Sequence, residues 1–172
     1  MLRSVGRPAR WRRRALTAAL ALLTAGPVAA ADWGGIVPGT STMQTVQARY
    51  GTPTRQSAQT VEGYETVRWI YEGAQAPAGF TRLTVDFGLL GPAGYRRDLV
   101  RTFTLEPKPN IFTRAAVLDG WGRPSGAKRE GETVSFFYDE GLIVYFDKDG
   151  WAVRSMVFTL PQPTPPEAAP PR

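Results

Sequence analysis

Apolar residues recur along this chain with two different periods. Every second position is apolar at Val67, Trp69 and Tyr71, at Leu83, Val85 and Phe87, at Val134, Phe136 and Tyr138, and at Leu142, Val144 and Phe146. Side chains alternate between the two faces of a strand, so each run predicts a β-strand with one face on a core. Phe103 and Leu105, with Phe158 and Leu160, predict two more strands that contribute to that core. Two shorter segments follow the helical period instead: Met43, Val46 and Tyr50, then Ala116, Val117 and Trp121. One of Thr40, Ser41 or Thr42 opens the first helix, and Gly51 with Pro53 ends it; Asn110 or Thr113 opens the second, and Gly122 with Pro124 ends it. Turn chemistry divides the strands at Glu62-Gly63, Glu130-Gly131, Asp139-Glu140-Gly141 and Asp147-Lys148-Asp149-Gly150. Residues 88–94 (GLLGPAG) predict a long hairpin connection.

These elements occur twice in one order. Residues 42–53 (TMQTVQARYGTP) lie over 113–124 (TRAAVLDGWGRP) without a gap, and 65–71 (ETVRWIY) over 132–138 (ETVSFFY). Residues 83–87 match 142–146 at every odd position, and Val100-Arg101 with Thr104-Leu105 echoes Val153-Arg154 with Thr159-Leu160. A repeat decides architecture before any motif does. The expected fold is therefore α+β: a tandem repeat of two helix-plus-antiparallel-meander units forming a curved sheet with helices on one face. The expected divisions are a signal segment at 1–31, a first unit at 32–107, a second at 108–161 and a Pro-rich tail at 162–172.

The opposite face of the strands carries Thr66, Arg68, Ile70, Thr84, Asp86, Thr102 and Thr104 in the first unit, and Thr133, Phe137, Ile143, Tyr145, Val153 and Val157 in the second. The second set is unusually apolar for a sheet facing water. Such a patch on a soluble protein marks a partner surface or a homodimer seam. The alternatives are that the neighbouring unit's helix or the Pro-rich tail covers it, or that the period-two register is off by one. As a binding surface, its anchors are Phe137, Tyr145 and Ile143, flanked by Ile70 and the pair Arg68 and Asp86, because aromatic residues and Arg dominate interface energetics.

Charge narrows the partner class. The 172 residues carry 21 Lys and Arg against 15 Asp and Glu, but six of the basic residues are arginines within the first 31 positions, where only acid-free sequence surrounds them. The remaining chain is neutral and has no basic field with which to collect phosphates, so neither nucleic acid nor an anionic membrane is an expected partner. Those arginines precede the apolar run ALTAALALL, a Gly26-Pro27 break and Ala29-Ala30-Ala31, the form of an export signal of the general or the twin-arginine kind, cut near Ala31. No Cys follows, so no lipid anchor is expected, and the mature product is expected in the periplasm or outside the cell. The end of the chain (PQPTPPEAAPPR) is too poor in apolar residues and backbone donors to fold, and reads as a tail or spacer.

The chain has neither His nor Cys, which removes imidazole bases, thiolate nucleophiles, disulfides and the usual zinc sites. Asp147-Lys148-Asp149-Gly150 resembles the start of a calcium loop but lacks the later Glu, so it reads as a hairpin turn. Glu65 and Glu132 occupy matching positions, and nothing places them on one substrate. No enzyme, metal or cofactor is expected.

Residues 36–41 (IVPGTS), Val46, the 50–53 segment (YGTP) and a meander with an Asp-Lys-Asp-Gly turn together resemble the repeat unit of the SmpA/OmlA (BamE) family of outer-membrane assembly lipoproteins. The pattern is also similar to the β-lactamase inhibitor protein group, built from two such units. Over residues 36–161 the resemblance implies two helix-plus-sheet units with a working surface on the open sheet face. It implies a non-enzymatic, exported protein-binding or scaffold protein with an envelope component as partner, or alternatively a secreted inhibitor of an enzyme. The absent lipidated Cys departs from the assembly-factor pattern, and no inhibitory residue carries over.

Overall fold

The computed structural model describes residues 30–162; the expected signal segment (1–31) and the expected Pro-rich tail (162–172) lie outside the described residues except at 30–31 and 162. Eight strands form one antiparallel sheet: β1 (Arg55–Val61), β2 (Tyr64–Glu72), β3 (Phe80–Gly91), β4 (Gly94–Pro107), β5 (Gly126–Glu130), β6 (Thr133–Phe137), β7 (Leu142–Phe146) and β8 (Val153–Phe158). Their order is β1-β2-β3-β4-β8-β7-β6-β5. The chain meanders from one edge to the middle, crosses to the far edge, and meanders back to pair β8 with β4.

This corrects the expected α+β tandem repeat of helix-plus-sheet units. Hydrogen bonds run from β4 to β8 through the pairs Phe103 with Phe158, Thr104 with Val157 and Leu105 with Met156, so the sheet is continuous and dominates the fold. The helices, α1 (Met43–Tyr50) and α2 (Arg114–Trp121), have eight residues each, with one fully buried side chain apiece, Val46 and Val117. Two turns with one buried residue cannot form a layer, and helices this short depend on the sheet they rest on.

Local chemistry accounts for both helices. Thr42 accepts from the Thr45 amide at 3.3 Å, and Thr113 accepts from the Ala116 amide at 3.2 Å, satisfying first-turn donors. At the other ends the Tyr71 hydroxyl donates to the Gly51 carbonyl at 3.1 Å, and the Tyr138 hydroxyl donates to the Gly122 carbonyl at 3.2 Å. Each strand tyrosine thus pins the end of a helix to the sheet. Ala116, expected inward, is exposed, and Leu118 packs on the core instead.

The core face carries Tyr71, Leu83, Val85, Phe87, Phe103 and Leu105, continuous with Leu142, Val144, Phe146, Met156 and Phe158 in one cluster. Phe103 and Phe158 stack across the β4–β8 seam with centroids 4.4 Å apart and an interplanar angle of 5°. Three further expectations need correction. Residues 88–94 are not a long connection: β3 and β4 stay paired as far as Gly91 and Gly94, leaving Pro92 and Ala93 as the turn. Val153, expected on the open face, is buried in the core, because an irregularity after Tyr145 pairs it with Phe146. Leu160, expected in the core, lies beyond the end of β8 and is 37% exposed. The β1–β2 hairpin turns on Glu62 (φ 51°) and Gly63 (φ 84°), two successive positive values that its two-residue loop demands and that glycine supplies without strain.

Candidate functional site

Both helices deliver their buried residue to the core face, so the other face of the sheet carries no helix among the described residues. Register determines what lies together there. Arg55 pairs with Ile70, Ile70 with Thr84, Thr84 with Thr104, Thr104 with Val157, Val157 with Ile143, Ile143 with Phe137, and Phe137 with Gly126. One row therefore crosses all eight strands, and from Ile70 to Phe137 it contains no charge. Five strand spacings separate those two residues, or about 24 Å.

The expected anchors fall on this face in two groups. Phe137 and Ile143 are direct neighbours on β6 and β7, and Tyr145 lies in the next row between Ser135 and Ser155. Ile70, Arg68 and Asp86 sit on β2 and β3, with Thr84, Thr104 and Val157 between them and the aromatic end. The six residues form a stripe and not a single cluster. All are half-buried except Asp86, which is 7% exposed. Strand neighbours cover their flanks and leave their tips accessible.

The charges beside the row are satisfied within the protein. Arg68 donates to both carboxylate oxygens of Asp86, at 2.7 and 3.1 Å, and this bond raises the guanidinium pKa further above its ordinary value. Arg82 reaches Glu72 at 3.2 Å and Glu106 at 3.3 Å, and Arg55 reaches Glu72 at 3.0 Å. Half-exposed pairs of this kind add little stability, but they pair the charges directly beside the first half of the row; Arg101, half-buried farther along the same face near Thr66 and Tyr95, has no ion pair among the described residues. A partner contacting its centre meets methyl groups, hydroxyls and aromatic edges.

A groove of about 250 Å³ opens at the aromatic end, bounded by Phe137, Ile143, Gly126, Asp139, Thr159 and Gln162. Gly126 stands directly across from Phe137, and a Cβ there would lie 4.0 Å from the ring, so the missing side chain opens one wall. No local signal marks Gly126, and Val157, placed on the open face by alternation, was not among the expected anchors. The signal for Val157 was its alternation with Met156 and Phe158, but its place at the centre of the row depends on the β4–β8 pairing.

Among the described residues no group of three or more His, Cys, Asp or Glu side chains could hold a metal ion, and no helix is long and apolar enough to cross a membrane. Asp147 instead caps its own turn, accepting from the Trp151 amide at 2.9 Å. Comparison with family models matches none, and comparison with curated proteins likewise finds no match. Among solved structures, the chain is similar to the crystal structure of a DUF4309 family protein (YjgB) from Bacillus subtilis, with a TM-score of 0.44 and 12% identity over 73% of this chain and 82% of that one.

Proposed function

We propose that this chain is a non-enzymatic exported protein of the bacterial cell envelope, similar in role to the SmpA/OmlA (BamE) family, that holds another protein against the open face of its sheet. The observation that carries this reading is the uncharged row from Ile70 through Thr84, Thr104, Val157 and Ile143 to Phe137, with Arg55, Arg68, Glu72, Arg82, Asp86 and Glu106 beside its first half held in ion pairs. Charge depletion with aromatic enrichment is the compositional mark of an interface centre. Phe137 and Tyr145 supply the aromatic anchors, Ile143 and Val157 fill between them, and the Arg68–Asp86 pair forms a polar rim. The Arg-rich, apolar start of the sequence supports export, and the absence of Cys supports a product free in its compartment.

The test is capture of partners from envelope extract of the organism that makes the protein, using wild type and a Phe137→Ala, Tyr145→Ala double variant. Each truncated anchor should cost about 1 to 3 kcal/mol of binding while the fold stays intact. Recovery of the same partners by both proteins would exclude this face. A single enzyme recovered in stoichiometric amount and silenced in the complex would turn the reading to an inhibitor.

A further inference from the structure

The chain leaves its last strand beside the aromatic end of the open face. After β8 the Thr159 amide donates to the Gly141 carbonyl at 2.8 Å, and the Gln162 amide donates to the Asp139 carbonyl at 2.9 Å. Both bonds tie the outgoing backbone to the turn between β6 and β7. Gln162, the last described residue, is itself a wall of the groove that Phe137 and Ile143 form. The chain beyond it therefore starts at one end of the uncharged row.

Residues 163–172 read PTPPEAAPPR. Proline sets φ near the polyproline II value, so such a stretch loses little entropy when it lies down on a surface, and aromatic-lined grooves are the sites that take it. At about 3.1 Å per residue in that form the segment spans about 31 Å. The row from Phe137 to Ile70, at about 24 Å, falls within its reach.

Charge sets the register. Residues 163–166 carry none, and they follow directly on Gln162, where the row offers Phe137, Ile143 and Val157. Glu167 comes about 15 Å beyond Gln162 in an extended segment, close to three strand spacings. Counted from β6 through β7 and β8, that distance ends over β4. On β4 stands Arg101, the half-buried cation of this face that has no ion pair among the described residues, whereas Arg55, Arg68 and Arg82 are already held by carboxylates. We propose that residues 163–172 lie across the open face of their own chain as an extended polyproline segment, with 163–166 on Phe137 and Ile143 and Arg101 donating to the Glu167 carboxylate. The seat coincides with the surface assigned above to a protein partner; that the segment regulates access to that surface rests on that reading, and the docking itself does not.

The chain contains no Cys, so Ala169→Cys gives a unique site for a nitroxide on the purified, ¹⁵N-labelled protein. In the docked segment residue 169 lies about 22 Å beyond Gln162, over β3 and β2, and the amide resonances of Thr84 and Ile70 should broaden. Adding Glu167→Arg, which lies after the last strand and leaves the sheet intact, should lower the ratio of docked to undocked segment about two- to fivefold, the size of an exposed ion pair. Arg101→Glu on that background should restore the broadening. Broadening centred on Asp139 and Gly141, beside the exit, or the same pattern with Glu167→Arg, would overturn the assignment. A mixture of ¹⁵N-labelled protein without nitroxide and unlabelled protein carrying it should show no broadening; broadening there would seat the segment on a second copy and also overturn it. None of these readings needs a partner, so envelope capture by wild type and the Phe137→Ala, Tyr145→Ala variant decides the partner surface separately.

Discussion

Replacing Tyr71 with Phe separates two contributions that one hydroxyl makes. Its side chain is fully buried, donates to the Gly51 carbonyl at the end of α1, and lies 5.9 Å from the Tyr50 ring. Burial, and to a lesser extent the neighbouring Tyr50, push its pKa up to about 12 from 10.0. The native state then keeps a proton that the unfolded chain releases. The associated stability is complete below pH 10 and is lost as pH rises toward 12. At pH 11 the unfolded tyrosine is about nine-tenths ionised and the native one about one-tenth, a tenfold factor that corresponds to about 1.4 kcal/mol. At pH 8 Tyr71→Phe should cost about 0.5 to 1.5 kcal/mol for the lost hydrogen bond. At pH 11 the two proteins should therefore converge. Tyr50 and Tyr138, also raised chiefly by burial, remain in the variant, so the alkaline loss shrinks without vanishing. Urea denaturation followed by circular dichroism at pH 8 and pH 11 measures all four values. An alkaline loss of equal size in both proteins would refute the argument.

Two other substitutions probe how the sheet is closed. A Cβ on Gly141, where φ is +94°, would lie 2.4 Å from the Thr159 carbonyl oxygen and 2.6 Å from that of Leu160, so Gly141→Ala should destabilise by at least about 2 kcal/mol. Gly63→Ala, also at positive φ but with open space around it, should cost only about 1 kcal/mol, and equal losses in thermal melts would discount the backbone clash. At the β4–β8 seam, a double-mutant cycle of Phe103→Leu and Phe158→Leu should return a coupling of about 0.5 to 1.5 kcal/mol from the stacked rings. Strict additivity would mean the seam is held by backbone pairing and burial alone.

Local signals account for much of what could be read before the structure. The alternation at Val67, Trp69 and Tyr71, and at Leu142, Val144 and Phe146, is a property of each strand by itself, and these six residues do point into the core. Thr42 and Thr113 cap helices because a hydroxyl two or three residues before an amide satisfies it without outside help. Two of the misreadings come from pairing between strands. Val153 enters the core because β7 and β8 slip by one residue after Tyr145, and a one-residue slip moves a side chain to the other face. Residues 88–94 look like a loop from their glycines, but pairing between long strands carries β3 and β4 through them.

The candidate surface divides along the same line. That Phe137, Ile143, Tyr145, Ile70, Arg68 and Asp86 share a face follows from strand periodicity alone, since the period of two is intrinsic to an extended backbone. Their arrangement as a stripe required β4 to pair with β8, a contact between residues more than fifty positions apart that joins the halves into one sheet. Bonding between particular edges depends on which partners survive competition for the same hydrogen bonds and the same buried area. No local pattern encodes that competition, so the sequence determined the strands and their faces, and the assembled sheet decided which of those residues became neighbours.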